Sequence, residues 1–157
     1  MKISALPFYG TMSDAGHRTL QQNLKSISCS KGQIVHNDGD GSFGMIYVEE
    51  GLLSVSLLSE DGREVTLLRL RKGSVCFLTA VNTIQGIDFE VTMEAETDTS
   101  LLCLSESCLS LLMKTHAAFA EFVHRSVAKI WFQMHSISDL SLPLKKKTVL
   151  LSVLIRM

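Results

Sequence analysis

The sequence predicts a mainly β fold with added helices: an antiparallel jelly-roll barrel (a double-stranded β-helix) followed by one long helix. Two observations lead to this prediction. Short apolar or alternating runs separated by Gly and Asp occupy residues 31–107, which is typical of strands joined by tight turns. From residue 117 onward the apolar residues are spaced by four and three, which is the period of a helix. A chain of 157 residues is long enough to bury a core of its own.

Composition excludes several classes of protein. Hydrophobic residues make up 46% and charged residues 20% of the chain, as in a globular domain rather than a disordered one. The net charge of −1 gives no overall attraction to nucleic acid or to a membrane surface. The chain lacks an apolar run of transmembrane length, and its N-terminus lacks the apolar stretch of a signal peptide. We therefore expect a cytoplasmic protein with no membrane partner.

The elements follow one another along the chain. Residues 13–27 are predicted to be a helix, with Ser13 as its N-cap and apolar residues at helical spacing. About seven or eight short strands are expected next, with the Asp61-Gly62 turn closing a hairpin. The clearest strands cover residues 33–36, 45–49, 52–58, 64–70, 89–95 and 100–104. Residues 105–114 form a short helix and residues 117–140 a longer one.

The long helix carries two apolar stripes. The first follows the heptad spacing of a coiled-coil seam and predicts a homodimer interface. Its residues are Phe119, Val123, Ser126, Ile130, Gln133 and Ile137, with Leu140 at its end. The second stripe contains Phe122, Val127, Trp131 and Met134 and is placed to rest against the barrel. A helix wrapped only on its own domain is the alternative, but two stripes favour the dimer.

Several segments stand in a characteristic order. Lys31-Gly32 opens a strand, residues 47–53 form a strand-turn-strand around Gly51, residues 61–64 make a hairpin, Lys72-Gly73 follows it, and residues 93–99 lead into the last strand. With the helix after them, residues 5–140 resemble the sensory half of the Crp/Fnr family of bacterial transcription regulators. The resemblance implies a jelly-roll effector domain, a long helix that forms a two-fold dimer, and a winged helix-turn-helix beyond it.

The resemblance also implies three parts. Residues 1–116 correspond to the effector-sensing domain with its N-terminal helix, residues 117–140 to the dimerisation helix, and residues 141–157 to the start of a truncated DNA-binding domain. A helix-turn-helix needs its second helix to reach base edges in the major groove. DNA binding is therefore expected only through a domain largely absent from this sequence. The alternative is a stand-alone ligand-binding or protein-interaction module with no DNA-binding role.

Cyclic-nucleotide-binding members of this family hold the phosphate with a glycine-rich turn, a glutamate, and an Arg followed by Ser or Thr. Matching the register puts Phe89 and Glu90 where the Arg and the Ser or Thr belong. No Lys or Arg lies between Lys72 and Lys114, although a buried phosphate needs a positive partner. The interval contains Asp88, Glu90, Glu94, Glu96, Asp98 and Glu106 instead. We therefore expect an effector other than a cyclic nucleotide. Arg125 and Lys129 of the long helix could reach inward and are the cations that would favour a phosphate.

Aromatic and thiol side chains predict a pocket for a neutral or weakly polar small molecule. The candidate effector-pocket residues are Cys76, Phe77, Thr79, Phe89, Glu90 and Trp131. The alternative is that these side chains only fill the barrel, because such residues are ordinary core material.

The sequence gives no sign of catalysis. None of the five histidines lies between Asn37 and Thr115, so the strands cannot supply the histidine cluster of a cupin enzyme. No cysteine pair has CxxC spacing, and neither a nucleophile elbow nor a P-loop is present. We expect no enzyme activity, no metal site and no defined cofactor. The sequence leaves open whether Cys29, Cys76, Cys103 or Cys108 senses redox change.

Overall fold

The computed structural model describes residues 3–35, 43–59, 62–77 and 89–136. Two short 3₁₀ turns, Ile3–Ala5 and Tyr9–Thr11, precede the first helix. The helices are α1 (Asp14–Asn23), α2 (Glu106–Thr115) and α3 (Ala117–Ser136). The strands are β1 (Lys25–Cys29), β2 (Phe43–Glu50), β3 (Leu52–Ser59), β4 (Glu64–Arg71), β5 (Val75–Phe77), β6 (Phe89–Ala95) and β7 (Thr99–Ser105).

The strands form two antiparallel sheets that pack face to face. The first has the order β1-β7-β2-β5 and the second the order β4-β3-β6. The predicted fold class, a mainly β jelly roll with added helices, is confirmed. The predicted strand at residues 33–36 is reduced to one bridge between Ile34 and Glu94 within the described residues, and His36 lies outside them.

The prediction of one helix over residues 13–27 is wrong at its C-terminal end. Ser13 is the N-cap as expected, since its hydroxyl accepts a hydrogen bond from the Gly16 N–H at 3.3 Å. The helix stops at Asn23, however, and β1 then pairs with β7 from Lys25 opposite Cys103 onward. The residues from Lys25 to Cys29 also alternate polar and apolar, and the β7 edge supplies hydrogen-bond partners that decide for the strand.

The first sheet is buried on both faces. In β2, Met45 and Tyr47 pack toward the helices, whereas Ile46 and Val48 pack toward the second sheet. In β7, Leu102 faces the helices. The core between the sheets consists of Cys29, Val35, Phe43, Ile46, Val48, Leu53, Val55, Leu70, Cys76, Met93, Ala95, Leu101 and Cys103. A sheet covered on both faces has near-continuous apolar strands, which explains the weak alternation of β2 and β7.

The turn between β2 and β3 depends on Gly51. Its φ of +93° lies in the left-handed region, and a Cβ at this position would lie 2.5 Å from the Asp98 carbonyl oxygen. The Leu52 N–H donates to the hydroxyls of Thr97 and Thr99, at 3.0 and 3.3 Å. This turn is therefore packed directly against the turn between β6 and β7.

We expect Gly51→Ala to lower the free energy of unfolding by more than Gly32→Ala, because only Gly51 combines a positive φ with a backbone contact. Gly32 has a φ of +84° but nothing within 4 Å of an added Cβ, so it reports the conformational cost alone, about 1–2 kcal/mol. Urea unfolding of both variants measures the difference. Equal losses would show that the Asp98 contact relaxes without cost.

Candidate functional site

A cleft of about 590 Å³ lies between the β4 side of the barrel and α3. One wall is formed by the end of β4 and the turn into β5, and the other by one face of α3. The apolar part of its surface comes from Pro7, Leu68, Leu70, Val75 and Phe122. The polar part comes from Arg69, Ser74, Arg125, Ser126 and Lys129, with Gly73 in the turn. This size lies within the range of small-molecule sites.

Three cations line the cleft, and two of them have carboxylate partners. The Arg69 Nε donates to Glu96 at 2.9 Å. Arg125 pairs with Glu121, one turn earlier on α3. For Lys129, which is exposed, the described residues supply no ion-pair partner. The cleft thus carries an excess of positive charge.

The positions of these side chains follow from the helical repeat of α3 and from the hydrogen bonds of the turn before β5. Arg125 and Lys129 are four residues apart on α3 and therefore lie on the same helix face. The turn before β5 is fixed to β2, because the Gly73 N–H donates to the Val48 carbonyl at 2.8 Å. Within that turn the Ser74 hydroxyl accepts from the Arg71 N–H at 3.1 Å.

An aromatic cluster holds α3 on the first sheet. The Phe8 ring lies 5.0 Å from the Phe119 ring and 5.6 Å from the Phe122 ring, centroid to centroid. Phe77 of β5 meets the same two rings edge-on, at 6.4 and 6.3 Å. Because Phe122 also lines the cleft, any change in the cleft acts directly on this cluster.

Of the predicted effector-pocket residues, only Cys76 and Phe77 have described side chains, and these two face different cores. Successive residues of a strand point to opposite faces. Cys76 accordingly packs between the two sheets, whereas Phe77 packs under α3, so the two cannot line one cavity. Thr79 lies outside the described residues, as do the side chains of Phe89, Glu90 and Trp131. In the structure Cys76 and Phe77 are core side chains, which agrees with the alternative to a pocket.

Two predicted dimer-interface residues also lie elsewhere than expected. Phe119 and Val123 are both 0% exposed within a single chain, where the barrel already covers them. Ser126 is half-buried at the cleft and donates to the Phe122 carbonyl at 2.9 Å. The side chains of Ile130 and Gln133, and all of Ile137 and Leu140, lie outside the described residues, so their placement stays a prediction.

The described acidic residues of the expected rim lie away from this cleft. Glu96 pairs with Arg69, Asp98 accepts from the Lys31 N–H at 2.9 Å, and Glu106 stands in the first turn of α2. No acidic side chain of the described residues lines the cleft. Arg69 was missed because the sequence argument covered only the interval after Lys72. Arg125 and Lys129 were noted, and the structure places both at the cleft.

The comparisons with known proteins agree with this fold. The family described as "Cyclic nucleotide-binding domain" matches residues 26–116, which is more than half of the chain. The chain belongs to this family. A comparison with curated protein sequences gives no match.

Solved structures place this cyclic nucleotide-binding domain among transcription regulators. A Crp/Fnr-family transcriptional regulator from Eubacterium rectale has 29% identity and a TM-score of 0.75, over 92% of this chain and 68% of that chain. The sensor domain of the regulator DNR from Pseudomonas aeruginosa has 17% identity and a TM-score of 0.62, over 86% and 90%. The heme domain of CooA from Carboxydothermus hydrogenoformans has 18% identity and a TM-score of 0.52, over 75% and 80%. The last two show the fold alone. The predicted likeness to the Crp/Fnr family is confirmed.

Within the described ranges of this cyclic nucleotide-binding domain, His, Cys, Asp and Glu side chains form no group of three that could hold a metal ion. Within the same ranges, no helix is both long enough and apolar enough to cross a membrane.

The domain's four cysteines are free and buried. Burial raises the pKa of the Cys76 and Cys103 thiols to about 12, and it also raises the pKa of Cys29 and Cys108. The thiolate is the reactive form of cysteine, so these groups are poor nucleophiles in the folded domain.

We predict that Ellman's reagent labels Cys76 and Cys103 at neutral pH no faster than the domain unfolds. All four thiols should react at once in denaturant. The domain should also lose stability as the pH rises above 9.0, the ordinary thiol pKa, because the unfolded thiols ionise there and the folded ones do not. Rapid oxidation of either residue in the folded state would instead mark a redox sensor.

We expect Phe119→Ala to cost about 3–5 kcal/mol in free energy of unfolding, because it removes a fully buried ring from the aromatic cluster. Leu111→Ala is the control, since Leu111 is 54% exposed and should change stability by less than about 0.5 kcal/mol. Denaturant unfolding at two protein concentrations separates the two roles of Phe119. A loss that depends on protein concentration would point to a dimer contact rather than to the core.

Proposed function

We propose that this domain is the effector-sensing and dimerising portion of a Crp/Fnr-type transcription regulator and that it catalyses no reaction. One observation supports this function above the others: the cleft has one wall on the barrel and the other on α3. A small molecule bound there touches both parts at once. Two structurally similar proteins, a sensor domain of a transcriptional regulator and a Crp/Fnr-family regulator, support it.

The signal would pass through α3. Phe122 belongs to the cleft and to the aromatic cluster, so a ligand that displaces it changes how α3 rests on Phe77 of β5. A ligand shifts a conformational equilibrium only by its difference in affinity for the two states. A cleft built from two separate elements provides that difference, because its affinity depends on their spacing.

We infer that the effector is not a cyclic nucleotide. Phe89 and Glu90 stand at the positions where the family resemblance calls for the phosphate-binding Arg and its Ser or Thr. The cations of the cleft come from β4 and α3 instead. We retain the division into an effector domain to residue 116, a dimerisation helix to residue 140 and the start of a DNA-binding domain after it, with a cytoplasmic location.

The homodimer is proposed to use the face of α3 that points away from the barrel. Phe119, Val123 and Val127 occupy the barrel side of the helix and are buried in one chain. The opposite side is exposed and follows steps of four and three, the spacing of a helix–helix seam. Its residues are Ala117, Glu121, His124 and Ala128.

We predict that Ala128→Glu converts the dimer into monomers, because it adds a second negative charge to a face that already carries Glu121 and small residues allow close helix approach only while they stay small. The matched control is Ala15→Glu, an equally exposed alanine on α1. Multi-angle light scattering gives the mass, and circular dichroism confirms that α3 stays helical. An unchanged dimeric mass for Ala128→Glu would exclude this face.

Sequencing the native transcript beyond the codon for Met157 tests the proposal that this domain is part of a transcription regulator. We expect in-frame codons for a recognition helix and a wing, and the longer product should retard DNA from upstream of its own gene. A stop codon there would support the second candidate, a stand-alone ligand-binding or protein-interaction module. The exposed face of α3 would then serve a partner protein or a second copy without any DNA-binding role.

A further inference from the structure

We propose that the cleft between β4 and α3 binds a small organic monocarboxylate, with its carboxylate at Lys129 and its apolar body against Phe122 and Leu68. This inference rests on the proposed function and names the chemical class of its effector. It departs from the neutral or weakly polar ligand that the sequence predicted.

The balance of charge in the cleft favours a monoanion. Arg69 and Arg125 each have a carboxylate partner, Glu96 and Glu121, so their charges are largely compensated. Lys129 lines the same cleft without an ion-pair partner among the described residues. Among the described residues the net excess is therefore about one positive charge, and a concave site concentrates its field. One carboxylate matches this excess, as any monoanion does, whereas a phosphate dianion exceeds it.

The polar groups around Lys129 suit a carboxylate as well. The Ser74 oxygen accepts from the Arg71 N–H, which leaves the hydroxyl hydrogen of Ser74 free to donate to a ligand oxygen. Arg69 and Arg125 add guanidinium N–H groups on opposite walls. Hydrogen bonds between charged groups are shorter and stronger than neutral ones. The site thus offers donors from both walls.

The apolar part of the cleft requires an organic body. Leu68, Leu70, Val75 and Phe122 line it beside the charged groups. A hydrated inorganic anion would leave these side chains in contact with water, whereas a hydrocarbon or aromatic body would cover them. The ligand that satisfies both halves is amphipathic, with one charged end.

The same charges link binding to movement of α3. Arg69 belongs to β4, while Arg125 and Lys129 belong to α3, so hydrogen-bond donors face each other across the cleft. An anion between them is attracted to both walls, most strongly to Lys129. Binding is therefore expected to draw α3 toward β4, which is the displacement that the proposed sensor needs.

The test compares three probes of similar shape on the full chain: hydrocinnamate, hydrocinnamamide and phenylpropylammonium. Ligand-observed NMR titrations give the affinities. Hydrocinnamate should bind at least about 10-fold more tightly than its amide, because only the acid pairs with Lys129 and accepts charged hydrogen bonds from Arg69 and Arg125. Raising the salt concentration from about 0.05 M to about 0.5 M should weaken binding of the acid and leave binding of the amide unchanged.

Matched variants locate the site. Lys129→Gln should weaken hydrocinnamate about 3- to 10-fold, while Lys114→Gln, an exposed lysine on α2 outside the cleft, should change nothing. Lys129→Glu should reverse the preference, so that phenylpropylammonium binds and hydrocinnamate does not. Circular dichroism and the melting temperature check that each variant is folded.

Three outcomes would overturn this inference. Equal affinity for acid and amide would make the cleft a site for neutral ligands, and unchanged binding by Lys129→Gln would place the anion elsewhere. Failure of all three probes would exclude the carboxylate class while leaving the dimer and the transcript tests untouched. If cyclic AMP bound more tightly than hydrocinnamate and Lys129→Gln weakened it, the carboxylate and the non-nucleotide effector would both be excluded.

Discussion

The packing of α3 against the first sheet is the interaction on which the rest of the structure depends. Phe119 and Phe122 meet Phe8 in tilted pairs and Phe77 of β5 edge-on, and this cluster closes the outer face of that sheet. Aromatic pairs of this kind contribute about 0.5–1.5 kcal/mol each beyond the area they bury. They anchor the N-terminal part of α3, so its next turns stand beside β4 and form the second wall of the cleft. Without this contact the cleft would not exist.

Burial of the first sheet on both faces explains which parts of the fold could be predicted. The strand at residues 89–95 and the helices beginning near residues 106 and 117 were predicted almost to the residue, because turns and caps bound them. β5 is only three residues long and entirely apolar, so it gives no alternation to detect. β1 was assigned to a helix because Leu20, Leu24 and Ile27 also fit helical spacing, and only the β7 partner decides between the two.

The positions of the site residues were harder to predict than the strands and helices, because tertiary packing decides them. Both apolar stripes of α3 are compatible with a barrel or with a second helix, because each of these surfaces is apolar. The barrel side turned out to hold Phe119 and Val123, which heptad spacing had assigned to the dimer. Cys76 and Phe77 are both of residue types that suit an apolar pocket, although a strand sends them to opposite cores. Arg69 reaches the cleft only through tertiary packing, so no local pattern could have placed it beside Lys129.

The ion pairs of the two cleft arginines also bear on how the cleft would respond to a ligand. Glu96 belongs to the β6–β7 turn beside β3 and β4, and Glu121 belongs to α3 itself, so each arginine is compensated by its own wall. Movement of α3 relative to the barrel therefore breaks neither pair. What changes is the distance between the residual charge on Lys129 and the β4 wall. Exposed pairs of this kind add little to stability, so they do not themselves hold α3 against the barrel. A bound charge of opposite sign would favour the position in which the two walls are close, because only there does it interact with both.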